Sequence, residues 1–289
     1  MTQCGVPTIL SIQSSVAYGH VGNSAATFPL MRMGVEVWPV LTVHFSNNTG
    51  YGSWRGPVLA ASDVSEVVRG IDERGVLSRC DAVLSGYQGS AAIGSVVLQT
   101  VDLVRERNPA AIYCCDPVMG DVDRGFFVTE GLPELIRDSL VPAAQVITPN
   151  QFELDFLTGS TTATLAEVCA AAESVRARGP EIVLVTSVVV ADTPPDTIAM
   201  IAVGPDQAWS VTTPRLPADF NGAGDLTAAT FLAQWLATRD LAYAVTSTAE
   251  RVYGVLKATV DSGERELQLV AAQDELVNPS ATFEAVRLR

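Results

Sequence analysis

Two histidines, His20 and His44, are all that this chain of 289 residues carries. That scarcity excludes a multi-histidine metal site and argues against a histidine-based nucleophilic triad. Cysteine is sparse too. The five thiols (Cys4, Cys80, Cys114, Cys115 and Cys169) are odd in number, and no spacing among them matches a zinc site. Cys114 and Cys115 stand inside an apolar run and read as small buried hydrophobes. Positive charge is in short supply: 18 Lys and Arg face 32 Asp and Glu, for a net charge of −14. Such a surface repels phosphate backbones and anionic lipid, so neither nucleic acid nor a membrane is an expected partner. No apolar run approaches the length that spans a bilayer. The first ten residues, MTQCGVPTIL, lack the basic-then-apolar pattern of a secretory leader. A cytoplasmic protein is expected.

Apolar residues are plentiful at 48%, against 17% charged, which is enough to bury a substantial core. Short apolar runs predict strands at Thr8–Gln13, Val35–Val43, Ala82–Ser85, Ala111–Cys115, Gln145–Thr148, Ile182–Thr186, Thr197–Val203 and Trp209–Thr213. Amphipathic patterns predict helices at Asn23–Met33, Asp63–Arg74, Ala91–Arg107, Leu165–Arg178, Asp225–Leu236 and Leu241–Val260. The alternation of the two calls for an α/β fold with a mostly parallel central sheet. The last two strands are joined across a Gly-Pro-Asp turn signal, which predicts an antiparallel edge. Ala191–Asp196 reads as a loop, and no internal repeat or long linker divides the chain. One domain over residues 1–289 is expected.

Ligands of parallel sheets bind beyond the carboxyl ends of the strands. Ser14 follows the first predicted strand, His44–Tyr51 the second, and Gly86 and Tyr87 the third. Asp116 follows the fourth, Thr148-Pro-Asn150 the fifth, and Thr186 and Ser187 the sixth. Small polar residues end most strands, but six such ends on one edge predict a single long cleft. The most informative element is Asn221-Gly-Ala-Gly-Asp225, directly before an amphipathic helix. Glycines admit a close backbone, and free amides at a helix start attract an anion. The same residues also fit a plain glycine-rich turn with Asp225 as N-cap. Neither a Walker A lysine nor a dinucleotide fingerprint accompanies them. A second cluster comprises Asp116, Asp121, Thr148, Asn150 and Glu153. Its oxygen donors suit Mg2+, and Asn150 with Glu153 three residues on equally fits a capping box.

The motifs are Ile9-Leu-Ser-Ile-Gln-Ser14, Tyr18-Gly-His-Val-Gly-Asn-Ser-Ala-Ala26 and Phe45-Ser-Asn-Asn-Thr-Gly-Tyr51, then Leu84-Ser-Gly-Tyr87, Cys115-Asp-Pro-Val-Met-Gly-Asp121, Ile147-Thr-Pro-Asn150 and Gly222-Ala-Gly-Asp225. Together they resemble those of pyridoxal kinases of the ribokinase-like superfamily, over nearly the whole chain. The resemblance implies a Rossmann-type three-layer sandwich and ATP-dependent phosphorylation of the 5′-hydroxymethyl group of pyridoxal. It implies Mg2+, ATP as co-substrate, a monovalent cation (K+ or Na+) and a homodimer. It places Ser14, Thr49, Gly50 and Tyr87 beside pyridoxal. Asp116, Thr148, Asn150, Glu153, Thr186 and Ser187 would serve the nucleotide, and Arg215, Leu216, Pro217 and Ala218 its adenine side. The cations would be held by Asp116, Asp121, Thr148, Glu153 and Thr186. Gly222, Ala223 and Gly224 would form the anion hole, and Asp225 would be the base.

Three departures accompany the resemblance: Asn48 where relatives often carry His, a short approach at Asp219–Asn221, and a Gly125–Val128 loop with Phe126 and Phe127 but no cysteine. Amides, helix start and Mg2+ around Asp225 predict a depressed resting pKa for its carboxyl. Hydroxymethylpyrimidine kinase, or another small-alcohol kinase such as a sugar kinase, is the alternative within the superfamily. The intact Gly222–Asp225 element disfavours a second alternative, a non-catalytic pyridoxal-binding protein.

Overall fold

The structure is a computed structural model that describes residues 6–289; Cys4 lies outside them. Among the described residues eleven strands form, β1 (Thr8–Val16), β2 (Glu36–Phe45), β3 (Ala82–Ser85), β4 (Ile112–Cys115), β5 (Gly120–Asp121), β6 (Gly125–Phe126), β7 (Val146–Ile147), β8 (Ile182–Val188), β9 (Thr197–Val203), β10 (Ala208–Pro214) and β11 (Ala285–Arg287). The helices are α1 (Asn23–Arg32), α2 (Ala61–Asp72), α3 (Ala91–Arg107), α4 (Leu132–Leu135), α5 (Val141–Ala143), α6 (Gln151–Thr158), α7 (Leu165–Arg176), α8 (Ala223–Thr238) and α9 (Leu241–Ser262).

Nine strands make one sheet in the order β11-β10-β9-β8-β7-β4-β3-β1-β2. From β2 to β8 every neighbour is parallel; β9, β10 and β11 add on antiparallel. The inner strands are buried on both faces, and their alternate side chains feed two separate cores. Leu10, Val83, Cys115 and Val183 pack with α2, α3, α6 and α7. Ile9, Leu84, Cys114 and Leu184 pack with α1, α8 and α9. The period of two in the strands therefore creates the three layers.

Every predicted strand and helix forms; Ala82–Ser85, Thr197–Val203 and Ala91–Arg107 keep their predicted bounds, and the others have shifted ends. β1 and β2 run beyond their predicted ends to Val16 and Phe45. Gln145–Thr148 shrinks to two paired residues, because Thr148 is the last residue before Pro149 and the chain turns there into α6. Sequence patterning missed the β5–β6 hairpin, α4, α5 and β11. All are too short to show a period. It also missed the tail after α9. There Leu267, Leu269, Ala272 and Leu276 fold back onto Leu226, Val252 and Val255, bringing residues 265 and 266 to the site edge of the sheet.

Candidate active site

The carboxyl ends of the parallel strands open into a cavity of about 280 Å³. Ser14, Asn48, Thr49, Tyr87, Asp116, Thr148, Asn150, Thr186 and Ser187 all line it, so the six predicted strand ends do share one cleft. Gly222, Ala223, Gly224 and Asp225 close it from the start of α8, and Asp121 and Glu153 also reach it.

One end of the cavity is apolar. Val16, Val43 and Phe45 are buried together, with Val21 and Tyr87 packed on them. Ser14 enters this end beside an irregularity in the sheet: between the pairs Gln13–Leu41 and Ser15–His44, two residues of β2 face Ser14 alone. Such bulges re-aim strand ends next to sites. Thr42 supports the wall by donating its hydroxyl proton to the Tyr87 carbonyl at 2.7 Å. Burial pushes the Tyr87 hydroxyl pKa up, which keeps it protonated.

The other end is acidic. Asp116 is 4% exposed and accepts a hydrogen bond from the Thr148 hydroxyl at 2.8 Å on Oδ1. Its Oδ2 is buried with no partner. Desolvation, then the charges of Glu153 and Asp225, hold the Asp116 carboxyl well above the usual carboxylate range. Glu153 forms the predicted capping box with Asn150. Its Oε2 accepts from Asn150 N at 2.9 Å, and its Oε1 accepts from Met119 N at 2.9 Å and Gly120 N at 3.4 Å. Burial pushes Glu153 up to about 8, with those three amides pulling the other way. Asp121 instead pairs with Arg124, whose Nε lies 2.7 Å from Oδ2.

Between the two ends stands Asp225. Gly222, at φ 86, is the N-cap of α8, and Asp225 belongs to the first turn. The alternative of Asp225 as N-cap is therefore wrong: it is the third helical residue. A Cβ on Gly222 would overlap the His20 carbonyl, so both the conformation and the space demand glycine. The depressed resting pKa expected for Asp225 is also corrected. Its side is partly open to the cavity, yet surrounding protein desolvates the carboxyl and pushes it up to about 6, outweighing backbone hydrogen bonds that include one from Gly22.

Gly50 and Arg215–Ala218 do not line the cavity. Gly50 turns its carbonyl outward to Arg265, and Arg215–Ala218 form a largely exposed connection from β10 towards α8. Sequence reasoning gave no site role to Val118, Arg124, Phe127, Phe220 and Asn221, which also line the cavity. Asn221 and Phe220 directly precede the glycines, and that adjacency was the available signal. Ser187 carries φ 55, unusual for a residue with a side chain, at the irregular end of β8.

A doubly covered parallel sheet, a glycine-rich helix start at the cavity and a carboxylate between an apolar and an acidic pocket define a small-molecule phosphotransferase of the ribokinase-like class. Comparison with known proteins sharpens this. The family model described as Phosphomethylpyrimidine kinase matches residues 61–269. Pyridoxal kinase PdxY of Rubrobacter xylanophilus is 58% identical over 289 residues, covering 100% of both chains. Pyridoxal kinase PdxY of Leifsonia xyli is 55% identical, over 97% of this chain and 99% of its own. The solved pyridoxal kinase of Leishmania donovani, in complex with ADP and pyridoxamine, superposes with a TM-score of 0.91 at 30% identity, over 98% of this chain and 99% of that one. The chain belongs to the pyridoxal kinase family.

Proposed function

We infer that the protein transfers the γ-phosphoryl group of ATP to the 5′-hydroxymethyl oxygen of pyridoxal, giving pyridoxal 5′-phosphate and ADP. The observation that carries this reading is the place of Asp225: on the first turn of α8, in one cavity with Ser14, Thr49 and Tyr87 on one side and Asp116 and Thr148 on the other. In the transfer a bond forms from the acceptor oxygen to the γ-phosphorus while the bond to the β–γ bridging oxygen breaks. Asp225 takes the hydroxyl proton. The amides at Gly222, Ala223 and Gly224 face the charge that builds on the transferring group. A pKa near 6 leaves Asp225 ionised at neutral pH yet basic enough to receive that proton. At the acceptor end, Ser14 and Thr49 hydroxyls can donate to or accept from the ring heteroatoms, while Val16, Val43 and Phe45 exclude water.

The acidic end suits a cation. Asp116 Oδ2 is buried without a partner, and the charges of Glu153 and Asp225 add to burial in raising the Asp116 carboxyl. Among the described residues no three such groups enclose an ion by themselves. An ion here therefore takes much of its shell from water and phosphate, as Mg2+ commonly does. Asp116 and Thr186 would hold a monovalent cation (K+ or Na+), and Glu153 would reach Mg2+ through water. Asp121, paired with Arg124, is the weaker ligand of the set. Bound there, Mg2+ would neutralise the phosphate charge.

Residues 1–289 act as one catalytic unit, a reading supported by the single nine-stranded sheet. No helix among the described residues is long and apolar enough to cross a membrane. We place the reaction in the cytoplasm, with the free cysteines Cys80, Cys114, Cys115 and Cys169 in support. The homodimer rests on the resemblance, and the mass in solution tests it. The activity is tested by ATP consumption with pyridoxal, hydroxymethylpyrimidine and ribose in parallel. Pyridoxal should be consumed fastest; preference for the pyrimidine would establish the alternative, and no consumption would leave a binding protein.

A further inference from the structure

Glu266 is a buried carboxylate that the transfer chemistry does not use. It is 8% exposed, lies in the tail beyond α9, and does not line the cavity. Three donors from two distant loops converge on it. Oε1 accepts from Asn48 Nδ2 at 3.0 Å and from the Tyr51 hydroxyl at 2.9 Å, and Oε2 accepts from His20 N at 3.0 Å. Its neighbour Arg265 grips the second loop from outside, donating to the Gly50 carbonyl at 2.7 Å and stacking 3.8 Å from the centre of the Tyr51 ring. A buried carboxylate is tolerated only where donors replace its water. Space has been cleared for this one: a Cβ on Gly19 would collide with the Glu266 carboxyl.

Both loops held by Glu266 carry cavity residues, Asn48 and Thr49 on one and Val21 on the other. The loop with His20 also abuts the anion hole, since the His20 carbonyl fills the place of a side chain at Gly222. An unbroken line of contacts thus runs from the tail through His20 to Gly222, and through Asn48 to Thr49.

We propose that Glu266 is a positioning residue, which holds the Thr49 loop and the His20 loop in register with Gly222 so that the acceptor alcohol meets the phosphoryl site. The proposal rests on the phosphotransferase reading above. It predicts a one-sided effect. Asp116, Thr148 and Thr186 stand on the ends of β4, β7 and β8, which Glu266 does not touch, so the ATP KM should be spared, and the link through His20 to Gly222 should show in kcat.

The test is steady-state kinetics of full-length Glu266→Gln and Glu266→Ala, varying acceptor and ATP separately, well below each variant's melting temperature. Gln keeps an oxygen for Asn48 and Tyr51 but presents an amide N–H to His20 N; Ala removes every acceptor. The acceptor KM should rise roughly tenfold or more in the Ala variant and severalfold in the Gln variant, with the ATP KM within about twofold. If the Ala variant does not fold, the Gln variant carries the test. An unchanged acceptor KM in either folded variant, or both KM values rising together, overturns the proposal. A general loss of stability would not separate the two substrates. The variant-to-wild-type ratio is taken with whichever alcohol the wild-type protein phosphorylates. Failure of pyridoxal as acceptor and failure of the clamp therefore give different results.

Discussion

At the end of the cavity lined by Ser14, Thr49 and Tyr87 the wall is mostly hydrocarbon, with hydroxyls that can switch between donor and acceptor. At the other end Asp116 and Glu153 are pushed above their ordinary pKa, as is Asp225 between the two ends, and Asp116 has an oxygen with no partner. The first end is comfortable as it stands and needs only a ring of the right shape. The second is under electrostatic stress until positive charge arrives. On the proposed reading, recognition of the alcohol and activation of the phosphate fall to different physics within one cleft. A substitution should betray which end it belongs to by what it changes.

Asp225 stands where the two ends meet, and its replacement should have the largest effect. Asn cannot take the alcohol proton, so Asp225→Asn should lower kcat by roughly 10²–10⁴. The fold should survive. Gly222, not Asp225, caps α8, so only a charge–dipole contribution of about 0.3–1 kcal/mol is lost, and a desolvated charge goes with it. Turnover and a melting curve on the same preparation check this. A folded variant with near wild-type kcat would remove Asp225 from the chemistry.

Glu153 tests the acidic end alone. Its carboxylate supports three backbone amides, from Met119, Gly120 and Asn150. Glu153→Ala should therefore cost about 1–3 kcal/mol for each buried amide left unpaired, and should also raise the Mg2+ concentration needed for half-maximal rate. Pyridoxal binding should stay as it was. A loss of stability with an unchanged Mg2+ titration would make Glu153 a strut and nothing more.

The same stress has a pH signature. Glu153 near 8 and Asp225 near 6 bind protons in the folded state that the unfolded chain releases in the ordinary carboxylate range. Fewer protons bound in the unfolded state means that stability falls as pH rises through that window. Without divalent cations the denaturation midpoint should fall from about pH 5 to about pH 9, and Mg2+ should flatten the slope. A midpoint that rises with pH would show that these carboxylates are charged and satisfied in the folded protein.

Much of this was legible because it is local. The capping box of Asn150 and Glu153 and the glycines before Asp225 are patterns within a few residues, and the strand ends follow from short apolar runs. What was hidden depends on distance through space. Glu266 reaches Asn48 across 218 residues and Tyr51 across 215, and nothing in either segment announces the other. The pKa of Asp225 went the opposite way from expectation because desolvation is a property of the assembled cavity, whereas the helix start is visible in the chain. Asp121 read as a metal ligand from its spacing to Asp116, yet Arg124, three residues on, engages it first.

The smallest effect belongs to the comfortable end. Ser14 is buried at 6% exposure and lines the apolar part of the cavity. Ser14→Ala removes one hydroxyl and leaves the surrounding Val16, Val43 and Phe45 wall as it was. The loss should be that of one hydrogen bond to the ring, about 0.5–1.5 kcal/mol in pyridoxal affinity. Because Asp116 and Glu153 belong to the other end, the ATP KM, the Mg2+ titration and the pH dependence of stability should all stay put. Titration of pyridoxal binding and separate KM measurements check both halves. If Ser14→Ala moved the ATP KM and spared pyridoxal, the two ends would be exchanged, and the acidic pocket would have to receive the alcohol.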